Sequence, residues 1–493
     1  MDRRELLRHG ALASVGLAAA SVRPVPVWAA GGRDSGVPRA NRIIFFAYDG
    51  MTWEDLSMAR YYAMRHRDRR LEVERLMATG ASGAMLVHSL TSIVTDSSAA
   101  SVAWSTGRKI VNQAMGVYPD GTQLTTILQL ARDRGLATGL MTTTRITHAT
   151  PAGWWAHTDN RERERDIALQ YLDDGPDILL GGGAMNFTSQ DRDLFSEFEE
   201  QGYQVLRSQE DLRGATGNRL LGAFTRDHLP YEIDRMYQGA ESPSLADLVR
   251  KGLEVLDGSE RGFVAQIEAG RVDHANHQND PGAALWEILA GDEALGVAMD
   301  YVDRRPGTLL IVGVDHATGC GGVYGRGTAY RSSNEAFDQL TLRRSSYNHL
   351  RSVIGSDPSP DVVRDAVREL MGLELADADV ARLVEVASGD LRLGHPRAHG
   401  DALNTWHQAL TLMGGNSSLN VNYATGNHTA SPVPVAIYGS GVPSTGLGVI
   451  DNTDLFNLMV DALGISFQNP YMSEAEALQL GAVVPAETRP HWA

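Results

Sequence analysis

Short apolar runs bounded by glycine or polar residues recur along the chain. They occupy residues 43–48, 178–180, 263–267, 309–314 and 433–438. Runs of this length without polar alternation are typical of strands that are buried on both faces of a sheet. Five buried strands are therefore predicted at these positions.

Helical patterns lie between the runs. Apolar residues recur at helical spacing over residues 125–134 and 244–256. Alternating strands and helices predict a mostly parallel sheet covered by helices on both faces. The expected fold class is therefore α/β: a three-layer α/β/α sandwich around a large, mostly parallel central sheet.

Residues 321–425 break this alternation. The stretch is polar, and helical patterns occur only at residues 360–371 and 377–387. We expect an inserted lid-like or crown-like subregion above the sheet, within a single domain of residues 30–493.

Acidic and histidine residues follow three of the apolar runs directly. Asp49 follows the first run, Glu268 the third, and Asp315 and His316 the fourth. In open α/β sheets, ligands bind beyond the carboxyl ends of the strands. We therefore expect these four side chains to belong to one site.

Further metal-binding residue types lie downstream of Glu268. Asp273 and His277 are four residues apart, so they share one face if this turn is helical. His428 offers another imidazole, and a mixture of carboxylate and imidazole suits zinc. A single acidic–histidine pair is also common on solvated loops, but the set together favours a metal site.

A stretch of small residues, 95–107, surrounds a candidate nucleophile. If a helix begins at Ser97, its free N–H groups and its dipole favour a bound phosphate anion. Taken alone, the same residues favour a plain N-capping Asp or Ser.

Together these segments resemble the alkaline phosphatase family. Asp-Ser-Ser-Ala-Ala-Ser-Val-Ala-Trp-Ser-Thr-Gly at residues 96–107 is similar to the phosphoserine motif of that family and places the nucleophile on Ser97. Further matching blocks follow the family's order: Asp49-Gly50-Met51, His148 to Pro151, His157 to Arg161, Glu268 to His277, Asp315-His316 and Asn427-His428-Thr429.

The resemblance implies a role for each matching residue. Two zinc ions and one magnesium ion are implied. The first zinc would be held by Asp273, His277 and His428; the second by Asp49, Asp315, His316 and the deprotonated Ser97; the magnesium by Asp49, Thr150 and Glu268. Hard oxygen donors are what magnesium prefers.

Arg161 is implied as the phosphate clamp, with Asp96 placed to orient it. His148 and His274 stand where the best-known bacterial members carry Asp and Lys, and resemble the animal members instead. We expect both to act by hydrogen bonding around the site. Phosphate monoesters are the implied substrates, and a homodimer is the implied assembly.

The first 29 residues read as an export signal. Arg3 and Arg4 form a twin-arginine pair, an apolar stretch covers residues 11–22, and Val27-Trp28-Ala29 is a cleavage pattern. We expect a periplasmic or secreted bacterial protein. The stretch is shorter than the roughly 20 residues that span a bilayer, so no membrane anchor is expected after signal removal.

The charge balance narrows the possible partners. A net charge of −17 disfavours binding to nucleic acid and to anionic membrane surfaces. It also means that a phosphate site needs local positive charge, from metal ions or a placed arginine. The one cysteine, Cys320, excludes an intrachain disulfide.

Two other functions compete with phosphomonoester hydrolysis. A sister chemistry, such as that of a sulfatase or phosphodiesterase, is disfavoured because neither Ser97 nor Cys320 begins a sulfatase Cys/Ser-x-Pro-x-Arg motif. Phosphodiesterases also tend to lack the clamp and the third-metal set. A non-catalytic exported protein that binds metal or phosphate would be expected to have lost the nucleophile or a ligand, and both are present.

Overall fold

A computed structural model describes residues 40–189, 192–325, 327–389, 417–442 and 446–481. The predicted signal peptide, residues 1–29, lies outside these ranges, as does part of the predicted insertion.

Ten of the fourteen described strands form one central sheet. In chain order the strands are β1 Arg42–Tyr48, β2 Ala81–Leu86, β3 Ala137–Arg145, β4 Ile178–Gly182, β5 Gln204–Leu206, β6 Leu220–Ala223, β7 Phe263–Ala269, β8 Thr308–Val314, β9 Ala317–Thr318, β10 Gly322–Val323, β11 Val421–Asn422, β12 His428–Thr429, β13 Val433–Gly439 and β14 Gly448–Asp451. The order in the sheet is β14-β2-β13-β8-β1-β7-β3-β4-β6-β5. All five predicted strands are confirmed, and of the sheet's strands only β13 runs against its neighbours.

Helices connect most of these strands. The described α-helices are α1 Trp53–His66, α2 Glu72–Thr79, α3 Ser97–Thr106, α4 Ile127–Arg132, α5 Ala149–Ala152, α6 Glu164–Asp174, α7 Leu194–Glu200, α8 Gln209–Gly214, α9 Glu232–Tyr237, α10 Leu245–Leu256, α11 Arg271–His277, α12 Pro281–Arg304, α13 Ser332–Asp338, α14 Tyr347–Ile354, α15 Pro360–Met371, α16 Asp377–Ser388, α17 Asp454–Ala462 and α18 Glu474–Gln479. Among these residues, no helix combines the length and apolar character needed to cross a membrane.

Helices cover both faces of the sheet because successive side chains of a strand point to opposite faces. On β1, the Phe45 ring packs against Trp104 of α3, with centroids 4.8 Å apart. Tyr48 points to the other face, where Gly291 of α12 approaches so closely that a Cβ there would lie 2.6 Å from the Tyr48 ring. The predicted three-layer α/β/α fold is confirmed.

The register of the central strands brings the predicted site residues to one edge. β1 lies between β7 and β8, and Ala47 is level with Glu268 and with Gly313. Parallel strands in this register end together, so Asp49, Glu268 and Asp315 meet beyond the same edge.

Within residues 321–425, three helices share a small core of their own. Helices α14, α15 and α16 share a cluster of buried apolar side chains separate from the main core, including Leu350, Val367 and Leu383. The helices predicted at residues 360–371 and 377–387 are confirmed as α15 and α16. Two carboxylates from outside this stretch bind the start of α14: the half-buried Asp234 accepts from the backbone N–H of Ser346, and the buried Asp280 from that of Tyr347.

Candidate active site

Asp49, Asp315 and His316 form one buried cluster at the ends of β1 and β8. His316 Nε2 lies 3.2 Å from Asp315 Oδ2 and 3.6 Å from Asp49 Oδ1. The backbone N–H groups of Gly50 and His316 both donate to Asp315 Oδ1, at 3.0 and 2.9 Å. These bonds fix the carboxylate so that its second oxygen faces His316.

Asp273, His277 and His428 form an adjacent cluster. Asp273 and His277 share a face of α11, and His277 Nε2 lies 3.3 Å from Asp273 Oδ2. His428 is brought in by the short pairing of β12 with β9, which sets it opposite Thr318. Its Nε2 atom lies 3.1 Å from His277 Nε2 and 3.6 Å from Asp273 Oδ1.

The three imidazoles of these clusters are oriented in the same way. The Nδ1 atoms of His277 and His428 lie 2.7 and 2.9 Å from the carbonyls of Gly426 and Thr95. His316 Nδ1 lies 3.2 Å from the Thr318 hydroxyl. If His277 and His428 each carry a proton on Nδ1, that proton is donated to the carbonyl and Nε2 keeps a free lone pair. This is the usual second-sphere arrangement of metal-binding histidines.

Burial keeps His316 and His428 neutral, as metal binding requires. Desolvation lowers the pKa of His316 well below its ordinary value and that of His428 to about 4. Nearby carboxylates oppose this effect only in part. At neutral pH both rings therefore present a lone pair without first losing a proton.

The carboxylates at this edge of the sheet also have the properties expected of metal ligands. Four buried carboxylate oxygens at this edge of the sheet have no hydrogen bond: Asp49 Oδ1, Glu268 Oε1, Asp273 Oδ2 and Asp315 Oδ2. Burial, together with repulsion among these groups, raises the pKa of Asp49 well above its ordinary value. Burial also raises the pKa of Asp315 to about 7. Such a concentration of acceptors is costly unless cations share it, so the donor set fits divalent metal ions.

The donor atoms group into three candidate cation positions. Atoms within 4.8 Å of one another come from Asp273, His316 and His428; from Asp49, Asp315 and His316; and from Asp49, His148 and Glu268. His316 therefore belongs to two groups. The third group contains His148, which was expected only to form hydrogen bonds around the site.

The third group is surrounded by threonines. Thr150 Oγ1 donates to Asp49 Oδ2 at 3.1 Å. The hydroxyls of Thr142 and Thr144 donate to Glu268 Oε2, the latter at 3.2 Å, which leaves Oε1 free to face the group. Thr142 and Thr144 were not predicted, because threonines on a strand read as ordinary β-formers.

Ser97 begins α3, as the sequence predicts. Asp96 is the N-cap, and its Oδ1 accepts from the backbone N–H of Ala99 at 3.0 Å. Ser97 is fully buried, and its Oγ lies 3.1 Å from His316 Nε2. The serine therefore lies where the first turn of α3 meets the cluster at the end of β8.

Arg161 is held beside the start of α3 by Asp96, the residue before Ser97. Arg161 Nη1 donates to Asp96 Oδ2 at 3.2 Å, and Nη2 lies 3.1 Å from His148 Nε2. Asp96 Oδ2 also accepts from Ser98 Oγ and from the backbone N–H of Gln113. One carboxylate therefore caps α3 and holds the guanidinium on the same side of the helix.

His148 and His274 meet a third histidine that sequence reasoning missed. The ring of His228 lies 4.4 Å from His274 and 5.6 Å from His148, centroid to centroid. Burial lowers the pKa of His228 and His274 well below the ordinary value. No local signal marks His228, which stands alone in a polar loop and reaches the site only through the fold.

A mostly parallel sheet whose carboxyl edge gathers buried carboxylates and imidazoles beside a serine in the first turn of a helix defines a metal-dependent hydrolase of the α/β class. The family model for alkaline phosphatase matches residues 40–465. The chain therefore belongs to the alkaline phosphatase family, which is metal-dependent, and it is an enzyme of that family.

Individual relatives agree with this assignment. Alkaline phosphatase 3 of Bacillus subtilis is 31% identical over 376 residues, covering 75% of this chain and 77% of the relative. The streptomycin-6-phosphate phosphatase of Streptomyces griseus is 29% identical, covering 87% and 92%. The crystal structure of the Thermus thermophilus alkaline phosphatase superposes with a TM-score of 0.83 at 42% identity, covering 90% and 95%.

Proposed function

We propose that this enzyme hydrolyses phosphate monoesters through a covalent phosphoserine at Ser97, assisted by two zinc ions and a third ion, magnesium. The observation that carries the proposal is the position of Ser97 Oγ, at a helix N-terminus and 3.1 Å from an imidazole of the carboxylate–histidine clusters.

We assign the three ions to residues as the family resemblance implies. Asp273, His277 and His428 would hold the first zinc, and Asp49, Asp315 and His316 the second. Asp49, Thr150 and Glu268 would hold magnesium, with His148 close enough to join them. Divalent cations bound there would lower the pKa of the serine hydroxyl and stabilise charge on the attacking and leaving oxygens.

The protein groups supply positioning and charge. The N-terminal N–H groups of α3 and the Arg161 guanidinium would bind the non-bridging oxygens of the ester. The Ser97 Oγ–phosphorus bond forms as the bond between phosphorus and the alcohol oxygen breaks. Water then cleaves the phosphoserine, releasing inorganic phosphate and regenerating the serine hydroxyl.

Chelation and reconstitution test the proposal directly. Hydrolysis of a chromogenic aryl phosphate is measured on the native enzyme, after exhaustive chelation, and after adding back zinc, magnesium or both. We expect activity to disappear on chelation, to return in part with zinc and fully with both ions. Full activity in the chelated protein would refute the metal assignment.

A diester substrate separates the proposed reaction from its nearest alternative. The same assay with a bis-aryl phosphate should give a kcat/KM lower by several orders of magnitude, because Arg161 is placed for an ester with free oxygens. A diester rate equal to the monoester rate would favour a phosphodiesterase. Binding of zinc and phosphate without turnover of either ester would favour a non-catalytic binding protein.

Export and assembly complete the proposal. We propose that the twin-arginine signal directs the enzyme to the periplasm or the medium and that two copies associate. Replacing Arg3 and Arg4 with lysine should retain the activity in the cytoplasmic fraction. Light scattering on the purified enzyme should give twice the mass of one chain, and a monomeric mass would refute the dimer.

A further inference from the structure

Asn276 links the two ligand-bearing segments of the site. It lies on α11 between Asp273 and His277, and it is fully buried. Its Nδ2 group donates to Asp55 Oδ2 at 2.7 Å and to the carbonyl of Gly50 at 3.2 Å. Both acceptors lie in the segment that follows β1, where Asp49 is found.

Asp55 is also fully buried, and it accepts hydrogen bonds from a second partner. It stands in the first turn of α1, where its Oδ2 accepts from the backbone N–H and the hydroxyl of Thr52, both at 2.9 Å. The Thr52 hydroxyl in turn accepts from the Asp55 backbone N–H at 3.0 Å. A single carboxylate oxygen therefore joins the cap of α1 to the helix that carries Asp273 and His277.

The segment after β1 is pressed against α11 at this point. Gly50 has φ +69°, and a Cβ on it would lie 2.6 Å from Asp273 Oδ1. The Gly50 backbone N–H donates to Asp315 Oδ1 at 3.0 Å. Gly50 thus contacts a carboxylate of each zinc cluster, and the Asp55–Asn276 bond holds the two segments together beside it.

We propose that Asp55 and Asn276 act as a pair of positioning residues that fix the separation of the two zinc clusters. The inference rests on the proposed function for the identity of the ions. Buried groups that orient metal ligands commonly change metal affinity by about 10–100-fold when they are removed.

A capping role alone does not account for the arrangement. Asp247 forms the same capping box with Ser244 at the start of α10, accepting from its N–H at 3.2 Å and its hydroxyl at 2.8 Å. Its other partners are Gln209 and Arg250, which lie outside the site. Asp247→Ala therefore serves as a matched control that removes a capping box and leaves the ligand-bearing segments alone.

The test measures metal binding without substrate. Zinc affinity is determined by competition with a chromogenic chelator, and the enzyme loaded with Co²⁺ reports the spacing of the two ions through their magnetic coupling. The full mature chain is used as wild type, Asn276→Ala, Asp55→Ala, the double variant and Asp247→Ala. The metal-free unfolding midpoint of each variant is recorded alongside.

Asn276→Ala and Asp55→Ala should each weaken zinc binding by about 10–100-fold and alter the coupling. The double variant should lose less than the sum of the two single losses, because both single variants break the same bond. Asp55→Asn keeps the acceptor oxygen and should recover most of the affinity. Asp247→Ala should match wild type in affinity and coupling.

Wild-type zinc affinity and coupling in Asn276→Ala would overturn the inference. Should that variant fail to fold, Asn276→Leu retains the approximate size of the side chain, removes the donor and adds no charge, and the same losses are expected of it. A chain that binds a coupled metal pair and hydrolyses no phosphate ester would refute the proposed reaction instead, and leave the positioning pair standing.

Discussion

Ser97 and His316 face each other with Oγ and Nε2 3.1 Å apart, although 219 residues separate them in the chain. The contact exists because α3 begins at the edge of the sheet where β8 ends. One residue comes from a helix N-terminus and the other from a strand terminus, so two independent elements must both be correctly placed before the serine meets the cluster.

Ser97→Ala should abolish hydrolysis while leaving the metal clusters intact. Loss of the attacking oxygen is expected to lower kcat by at least about 10³-fold. Zinc content by elemental analysis should stay close to wild type. Ser105→Ala, on the same helix but bonded to the Gly153 carbonyl, is the control and should retain activity. Equal rates for Ser97→Ala and wild type would show that the nucleophile lies elsewhere.

Arg161→Lys should weaken substrate binding and transition-state stabilisation together. A lysine offers one point charge where the guanidinium presents a planar fork, so kcat/KM should fall by about 10–100-fold. Inhibition by inorganic phosphate should weaken in parallel. Arg163→Lys changes an exposed arginine paired with Asp159 and should leave both quantities unchanged. An unaltered phosphate inhibition constant in Arg161→Lys would contradict the assignment.

Gly50→Ala should destabilise the protein more than Gly121→Ala does. Both glycines have positive φ, +69° and +87°, so each substitution carries a backbone cost of about 1–2 kcal/mol. A methyl group at residue 121 meets open space, whereas at residue 50 it collides with Asp273. Denaturant titration should show an additional loss of about 1–3 kcal/mol at Gly50. Equal losses would mean that the segment moves aside without strain.

Glu287→Gln should make the free energy of unfolding less dependent on pH. Burial raises the pKa of Glu287 from 4.5 to about 8 in the folded protein. Between these values the folded state holds a proton that the unfolded state has released. The stabilisation that this group contributes is therefore fully present below pH 4.5. It is lost as the pH rises to about 8, at about 1.4 kcal/mol per pH unit.

Glutamine removes that titration but keeps an oxygen for the backbone N–H of Glu232, which now donates to Glu287 Oε1 at 2.6 Å. Unfolding free energies of wild type and variant, measured from pH 5 to pH 8.5, should diverge as the pH rises, with the variant the more stable. Parallel curves would show that the carboxyl is already ionised in the folded state.

The strands that position the site were predictable because buried strands lack polar alternation. The runs that became β1, β7 and β8 are apolar apart from Gln266, and each ends in the residues that form the site. β3 was not predicted, since its Thr-Thr-Thr-Arg end carries polar groups that are buried only because they bond neighbours such as Glu268. The antiparallel direction of β13 could not be predicted either, because an apolar run looks the same in parallel and antiparallel pairing.

The donor residues were predictable as a set, but their grouping was not. Residue type and position identified Asp49, Asp315 and His316. The geometry that lets His316 serve two groups depends on its ring stacking on His428, with centroids 3.5 Å apart. His228 shows the same limit, because its proximity to His274 arises from a loop whose path no local pattern encodes.

The bond between His428 Nδ1 and the Thr95 carbonyl spans 333 residues of sequence. During synthesis the ribosome releases the nucleophile and most acidic donors long before β12 emerges. The carboxylate–histidine clusters are therefore complete only in a chain that extends past β12. We expect a chain truncated upstream of β12 to bind metal ions more weakly than the full chain.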